Sequence, residues 1–214
     1  MTGQQPPSAK TPEGLRTPLQ SRSRQSTDRM LDAALAILDR EGMEGLSIAA
    51  VSRESGVSNG ALYHRFGDRH GLLVAAQDRF LGGIVTDWLS TSESLWALDD
   101  PDELLARLVD LFLRVFTERR SVFHAFMVTG RADPDLYAQG VGMMKDAADH
   151  FASHLGARFG CSPSAAATAH QVMHGQAVLL VLSDETHTTP TGTTPEGYRH
   201  HLVRALKAIL EPTS

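Results

Sequence analysis

The sequence predicts an all-α protein of about nine helices. Three observations carry this. Apolar residues recur at three- and four-residue intervals through most of the 214-residue chain. Glycine, proline and small capping residues separate the periodic runs. No stretch alternates apolar and polar side chains as a half-buried strand would.

The elements follow in order. Order is expected from Ser26, with Thr27 as N-cap and Asp28 complementing the positive helix end. Met30, Ala33, Ala34, Ile37 and Leu38 then form one apolar stripe, and Gly42 and Gly45 end that helix. Ser47 caps a short second helix through Arg53 that turns Ile48 and Val51 inward and stops at Gly56. Ser58 caps a third, which ends near Phe66-Gly67-Asp68. A fourth runs from about Asp68 towards Trp88 on Leu72, Leu73, Ala76, Phe80 and Ile84, and residues 89–101 read as a polar loop. The strongest stripe is Leu104, Leu105, Leu108, Leu111, Phe112, Val115 and Phe116. Further helices are expected over 121–129, 134–159 and 163–182, then a mobile Thr/Gly/Pro loop over 184–195, and a last helix to Leu210.

Composition bounds the function. With 42% hydrophobic and 21% charged residues, the chain can bury a real core. No apolar run approaches the roughly 20 residues that cross a bilayer. The first residues, MTGQQPPSAKTPEG, lack a signal-peptide core. The single cysteine, Cys161, leaves no intrachain disulfide or Cys-rich zinc site, and a cytoplasmic setting is expected. Charge is unevenly spread: residues 1–80 carry a net +1 and residues 81–214 a net −6. That permits phosphate contact at one end and disfavours it at the other.

Three domains are expected: a flexible arm over 1–25, a small helical head over 26–72 and a helical body over 73–214. The arm holds Pro6, Pro7, Pro12 and Pro18, and its Arg22 and Arg24 could touch DNA backbone or minor groove. In the head, two short helices meet at Ser55-Gly56-Val57-Ser58, the chemistry of a helix-turn-helix. Gly56 allows the left-handed reversal, Val57 plugs the angle and Ser58 caps. Leu62 and Phe66 should face the core. Asn59, Gly60, Tyr63 and His64 should form a small, polar outer face that fits a phosphate wall while its first residues reach base edges.

The run Ile48 to Phe66 followed by Asp68-Arg69-His70-Gly71-Leu72 resembles the DNA-binding domain of TetR-family repressors. It holds the Gly-Val-Ser turn, the Leu-Tyr-x-x-Phe recognition helix and a basic residue followed by Leu three later. The preceding Ala33-Ala34 and Leu38 fit as well, so the likeness covers about residues 25–72. The resemblance implies that Ser47, Ser58, Tyr63 and His64 contact phosphate. It implies that Asn59 and Gly60 face bases, and that Arg69, where the family usually has Lys, holds a phosphate. It further implies a ligand-responsive transcriptional regulator: a homodimeric repressor on double-stranded DNA, released from a palindromic operator by a small hydrophobic or aromatic effector.

The body partly supports this. Small residues on the 163–183 helix and apolar residues Leu202, Val203, Leu206, Ile209 and Leu210 on the 195–211 helix suit a four-helix dimer interface. Candidate effector-pocket residues are Phe112, Phe116, His124, Phe126, Met127, Met143, Met144 and His174. A rival reading is a metal-responsive regulator using the one-turn pairs His150/His154 or His170/His174. No cofactor or catalytic residue is expected. The chain has no Gly-x-Ser-x-Gly elbow, no phosphate-cradling glycine loop and no cysteine-nucleophile signature, so an enzyme is not expected.

Overall fold

A computed structural model describes residues 17–183 and 194–211. Among the described residues there are nine α-helices and no strand. They are α1 (Thr17–Gly45), α2 (Ile48–Ser55), α3 (Asn59–Phe66), α4 (Arg69–Trp96), α5 (Pro101–Glu118), α6 (Arg120–His124), α7 (Pro134–Phe159), α8 (Pro163–Leu182) and α9 (Pro195–Leu210). Between α6 and α7 the chain continues through a π turn (Ala125–Thr129) and a 3-10 turn (Gly130–Ala132). None of the described helices is long and apolar enough to cross a membrane.

The caps explain most boundaries. Ser47, Ser58, Asp68, Asp133 and Ser162 each accept a backbone N–H of the helix they precede. Proline occupies the first turn of α5, α7, α8 and α9, where its missing donor costs nothing. Gly56 and Gly160 end α2 and α7 in left-handed geometry, at φ 67° and 62°.

Four expectations shift. First, α1 is helical from Thr17, so the last part of the expected arm is helix, and residues 1–16 lie outside the described residues. Thr27 is therefore no cap: its hydroxyl donates back to the Ser23 carbonyl at 3.0 Å within the helix. Second, Gly42 (φ 67°, ψ −165°) breaks α1 as expected, but the break is a kink and helix resumes to Gly45. Third, the expected 89–101 loop is helical as far as Trp96, because Ser92 is buried and Trp96 packs on Phe151. Its serines return their hydroxyls to carbonyls a turn back rather than breaking the helix. Fourth, the expected 121–129 helix changes pitch at Ala125. The expected 184–195 loop lies outside the described residues except for its last two.

One apolar cluster runs through the molecule, from Met30 in α1 to Leu210 in α9. At its head end α1, α2, α3 and the start of α4 enclose Ala34, Ile37, Leu38, Val51, Leu62 and Leu72, all nearly inaccessible. At the other end α5 lies among α4, α8 and α9, and α7 packs on α4 and α8. α4 joins the two. Its 28 residues span about 42 Å at 1.5 Å per residue. Arg79 on α4 pairs with Asp28 and Asp32 of α1 at 2.8 and 2.9 Å. Arg158 of α7 donates to the carbonyls of Leu98 and Asp99, fixing the α4–α5 link.

A Cβ at Gly56 would meet nothing within 4 Å, so the positive φ alone resists a side chain there. Gly56→Ala should therefore destabilise the protein by about 1–2 kcal/mol, the cost of a left-handed non-glycine residue. Urea denaturation monitored by far-UV circular dichroism measures it. An unchanged midpoint would mean that the turn relaxes freely.

Candidate DNA interface and ligand cavities

At the head, the exposed surface of α3 is set by its buried one. Leu62 is fully inaccessible and Phe66 half-buried, so Asn59, Gly60, Tyr63 and His64 are turned outward. Tyr63 is 54% exposed, an unusual state for a large aromatic with packing partners so near. Ser47 and Ser58 are exposed too, with hydroxyls that accept from Ala50 and Ala61 at 3.1 and 3.4 Å. Both caps therefore place a helix N-terminus and a hydroxyl at the surface, the arrangement that receives phosphate. The turn itself is braced internally. Ser52 donates to the Val57 carbonyl at 2.7 Å, and Ser55 accepts from the Val57 N–H at 3.2 Å. A Cβ at Gly60 would meet nothing within 4 Å, so no contact within the protein requires glycine there.

Arg69 is exposed, but its guanidinium is already engaged. Nε donates to the Leu46 carbonyl at 2.7 Å, and a terminal nitrogen donates to the Met43 carbonyl at 2.6 Å. It satisfies free carbonyls after the α1 break and pins that turn to the start of α4. The sequence pattern singled out Arg69 for its charge; its bracing of the head was not legible there.

In the body, two cavities abut. The first, about 220 Å³, lies between α4, α5, α7 and α8, with Trp88, Phe112, Met143, Phe151 and His170 among its walls. The second, about 250 Å³, reaches towards the π turn and includes Gln77, Phe126, Met127, Tyr137 and His174. Leu81, Phe116, Phe123 and Met144 line both. Of the expected pocket residues, Phe112, Phe116, Phe126, Met127, Met143, Met144 and His174 all line one or both. His124 does not: it is exposed and lines neither, because α6 turns Val122 and Phe123 inward instead. The sequence reading also missed Trp88, Phe151 and Gln77. Trp88 and Phe151 carry aromatic bulk on α4 and α7, and their ring centroids lie 5.2 Å apart in an edge-to-face pair. A lone Gln on the apolar stripe of α4 is the signal that was available for Gln77.

The histidine pairs are arranged differently from a chelating site. His170 and His174 stack at 5.9 Å with nearly parallel rings, packed edge-on against Phe112 and Phe116. His150 lies 4.6 Å from His154, which stacks on Trp96. Among the described residues, the one group of three potential metal ligands is His70, Asp133 and Asp135, and it includes neither pair. That group reads as an ion-pair link between α4 and α7: His70 lies 3.0 Å from Asp133, whose carboxylate also caps α7.

Burial lowers His170 from an ordinary 6.5 to about 4, helped by the neighbouring His174. Burial lowers His174 as well. Both are neutral at pH 7. His70 is shifted the other way, raised by its hydrogen bond to Asp133.

Residues 30–76 match the model of the family described as bacterial regulatory proteins, tetR family. Over this segment the chain is similar to the TetR family. The match lies on α1 to α4, the elements that present the outward face of α3. The chain is 46% identical over 48 residues to the HTH-type transcriptional regulator BetI of Proteus mirabilis (strain HI4320), covering 22% of this chain and 24% of that regulator. The chain spans less than half the length of the curated relatives it matches. Over the whole fold it is similar to a candidate TetR-family transcriptional regulator from Mesorhizobium loti MAFF303099. The TM-score is 0.72 at 16% identity, over 88% of this chain and 96% of that one. It is also similar to the multidrug binding protein EbrR in complex with imidazole, with a TM-score of 0.63 at 22% identity over 88% and 96% of the two chains. The family match is confined to the head; across the body the likeness is one of fold.

The two shifts give opposite pH effects. Between 6.5 and about 4 the unfolded chain takes up a proton at position 170 that the folded chain refuses, so stability falls as pH falls through that window. The His70 link is fully present below 6.5 and is lost as pH rises through its raised value. His170→Gln should therefore reduce the fall in urea midpoint between pH 6.5 and pH 4.5. His70→Gln should instead remove stability below pH 6.5, and the difference should shrink as pH rises through the raised His70 value. Equal pH profiles for wild type and His170→Gln would contradict the burial effect.

Proposed function

We propose that the chain is a ligand-responsive transcriptional repressor. It binds a near-palindromic operator as a homodimer and leaves it when a small hydrophobic or aromatic effector enters the body. The observation that carries this is the exposed α3 face, Asn59, Gly60, Tyr63 and His64, flanked by the two capped N-termini at Ser47 and Ser58. In this reading Ser47, Ser58, Tyr63 and His64 take phosphate, while Asn59 and Gly60 meet base edges. Arg69 adds charge through the donors it does not spend on Met43 and Leu46. The head occupies residues 26–72 and the body 73–214. A protein working on chromosomal DNA belongs in the cytoplasm.

The second copy is placed on α8 and α9. α8 buries Ala166, Ala169, Met173, Ala177 and Val181 inside its own subunit, yet leaves Leu179 and Leu182 44% and 50% exposed. Apolar residues on both sides of one helix indicate a second partner. α9 turns Leu202, Leu206 and Leu210 inward and packs beside α8. In this reading, pairing these helices across a two-fold axis must set two copies of α3 about 34–36 Å apart, one turn of DNA. For the effector, the support is the pair of aromatic-walled cavities. EbrR, with the same fold, has been crystallised with imidazole and with malachite green.

Selection of bound fragments from the source genome, followed by affinity measurements on the selected duplex across a salt series, tests the reading. Gly60→Ala separates recognition from folding. The substitution replaces glycine by the best helix former where no atom obstructs it, so stability should hold or rise by up to about 1 kcal/mol. Operator affinity should fall at least about tenfold, since the new methyl stands between backbone and base. Tyr63→Ala should lower affinity for all duplexes alike and reduce the salt slope by about one contact. A Gly60→Ala protein that binds the selected duplex as wild type does would remove α3 from the major groove.

A further inference from the structure

Two residues lining the second cavity each carry a buried polar atom that the protein leaves without a partner. Gln77 is 3% exposed on the inner face of α4, and its Oε1 accepts no hydrogen bond. His174 Nδ1, on α8, has no partner either. Both residues line this cavity. The amide end of Gln77 reaches the wall, since its Nε2 lies 3.4 Å from where a Cβ on Gly140, another lining residue, would stand. Buried polar groups are nearly always satisfied, and an orphaned one destabilises the fold. Two around one aromatic-lined space indicate what the space is built to receive.

We infer that the effector is a neutral hydroxyaromatic compound whose hydroxyl donates to Gln77 and accepts from His174. The inference rests on the effector-pocket reading above. The ring is called for by Phe80, Phe116, Phe123 and Phe126, which line the cavity. The hydroxyl is called for by the two polar atoms: the Gln77 carbonyl oxygen needs a donor, and His174 Nδ1, in the tautomer that carries its proton, needs an acceptor. A hydroxyl can both donate and accept. A cationic ligand fits poorly, because no carboxylate lines the cavity and Arg131 does. An anionic ligand would meet Arg131 favourably but would press a second acceptor against Gln77 Oε1. Gln77 lies four residues beyond Leu73, which is buried in the head end of the core, so the bound hydroxyl would grip the helix that carries the head.

Three probes of one shape test this by calorimetry at pH 7: 2-naphthol, naphthalene and 2-naphthoate. Wild type should bind 2-naphthol at least about tenfold more tightly than naphthalene, the order expected for satisfying a buried acceptor. In Gln77→Leu that advantage should shrink to less than about threefold, while naphthalene binding is retained or improved. Retained naphthalene binding also shows that the variant is folded around the cavity. Equal wild-type affinities for 2-naphthol and naphthalene would overturn the hydroxyl assignment and leave the pocket standing. Tighter binding of 2-naphthoate than of 2-naphthol would overturn it in favour of an anion held by Arg131. Failure of all three to bind would overturn the pocket reading itself, and the inference with it.

Discussion

The structure depends on α4 being one uninterrupted rod that belongs to two places at once. Its first turns are head core: Leu72 and Leu73 are buried beside α1 and α3. Its middle is cavity wall, lined by Gln77, Phe80, Leu81, Ile84 and Trp88. A helix is stiff along its axis, because any bend must lengthen or break its backbone hydrogen bonds. A displacement imposed at Phe80 or Trp88 therefore reaches the head as a change in tilt. The contiguous core from Met30 to Leu210 leaves no slack layer between them in which such a displacement would be absorbed.

The body holds this rod with a predominantly apolar and aromatic lining. Rings run in contact from Trp96 through Phe151, Trp88 and Phe112 to Phe116, Phe123 and Phe80. His170 and His174 sit against them and stay unprotonated at pH 7, because an imidazolium there would lose its hydration without gaining a partner. The same burial explains why these histidines suit hydrogen bonding better than metal binding. Each is packed among Phe residues, and neither belongs to a group of three ligands among the described residues.

Much of this was legible in the sequence. The head was readable because its signals are local: Ser47 and Ser58 cap, Gly56 reverses, and Leu62 and Phe66 define an inside by spacing alone. The apolar stripe of α5 likewise located Phe112 and Phe116 on the cavity. What failed was non-local. Thr27 has the chemistry of a cap, but helix continues on both sides of it, and its hydroxyl turns back to Ser23. Residues 89–96 are polar enough for a loop, yet Ser92 is buried and Trp96 packs on Phe151 of distant α7. His124 followed helical spacing, but the pitch changes one residue later at the π turn, which no propensity marks. The role of Arg69 in bracing two carbonyls required knowing where α1 breaks.

Arg69 and Arg79 together decide how the head can respond to α4. Arg69 ties the turn after α1 to the first residue of α4, and Arg79 ties α1 to α4 nearly three turns further on. Two attachments separated along a rod fix both position and angle, where one would allow a swivel. The head must then move with α4 as a unit rather than lag behind it. Exposed ion pairs of the Arg79 kind are individually weak. The buried contacts of Leu72 and Leu73 bear most of the load, and the arginines select the angle. In the proposed dimer, a few degrees at the cavity become a change in separation of two α3 helices, each at the far end of its own rod. A ligand then needs only to prefer one tilt of α4 to alter affinity for a fixed operator spacing, and its effect is limited to the difference in its affinity for the two tilts.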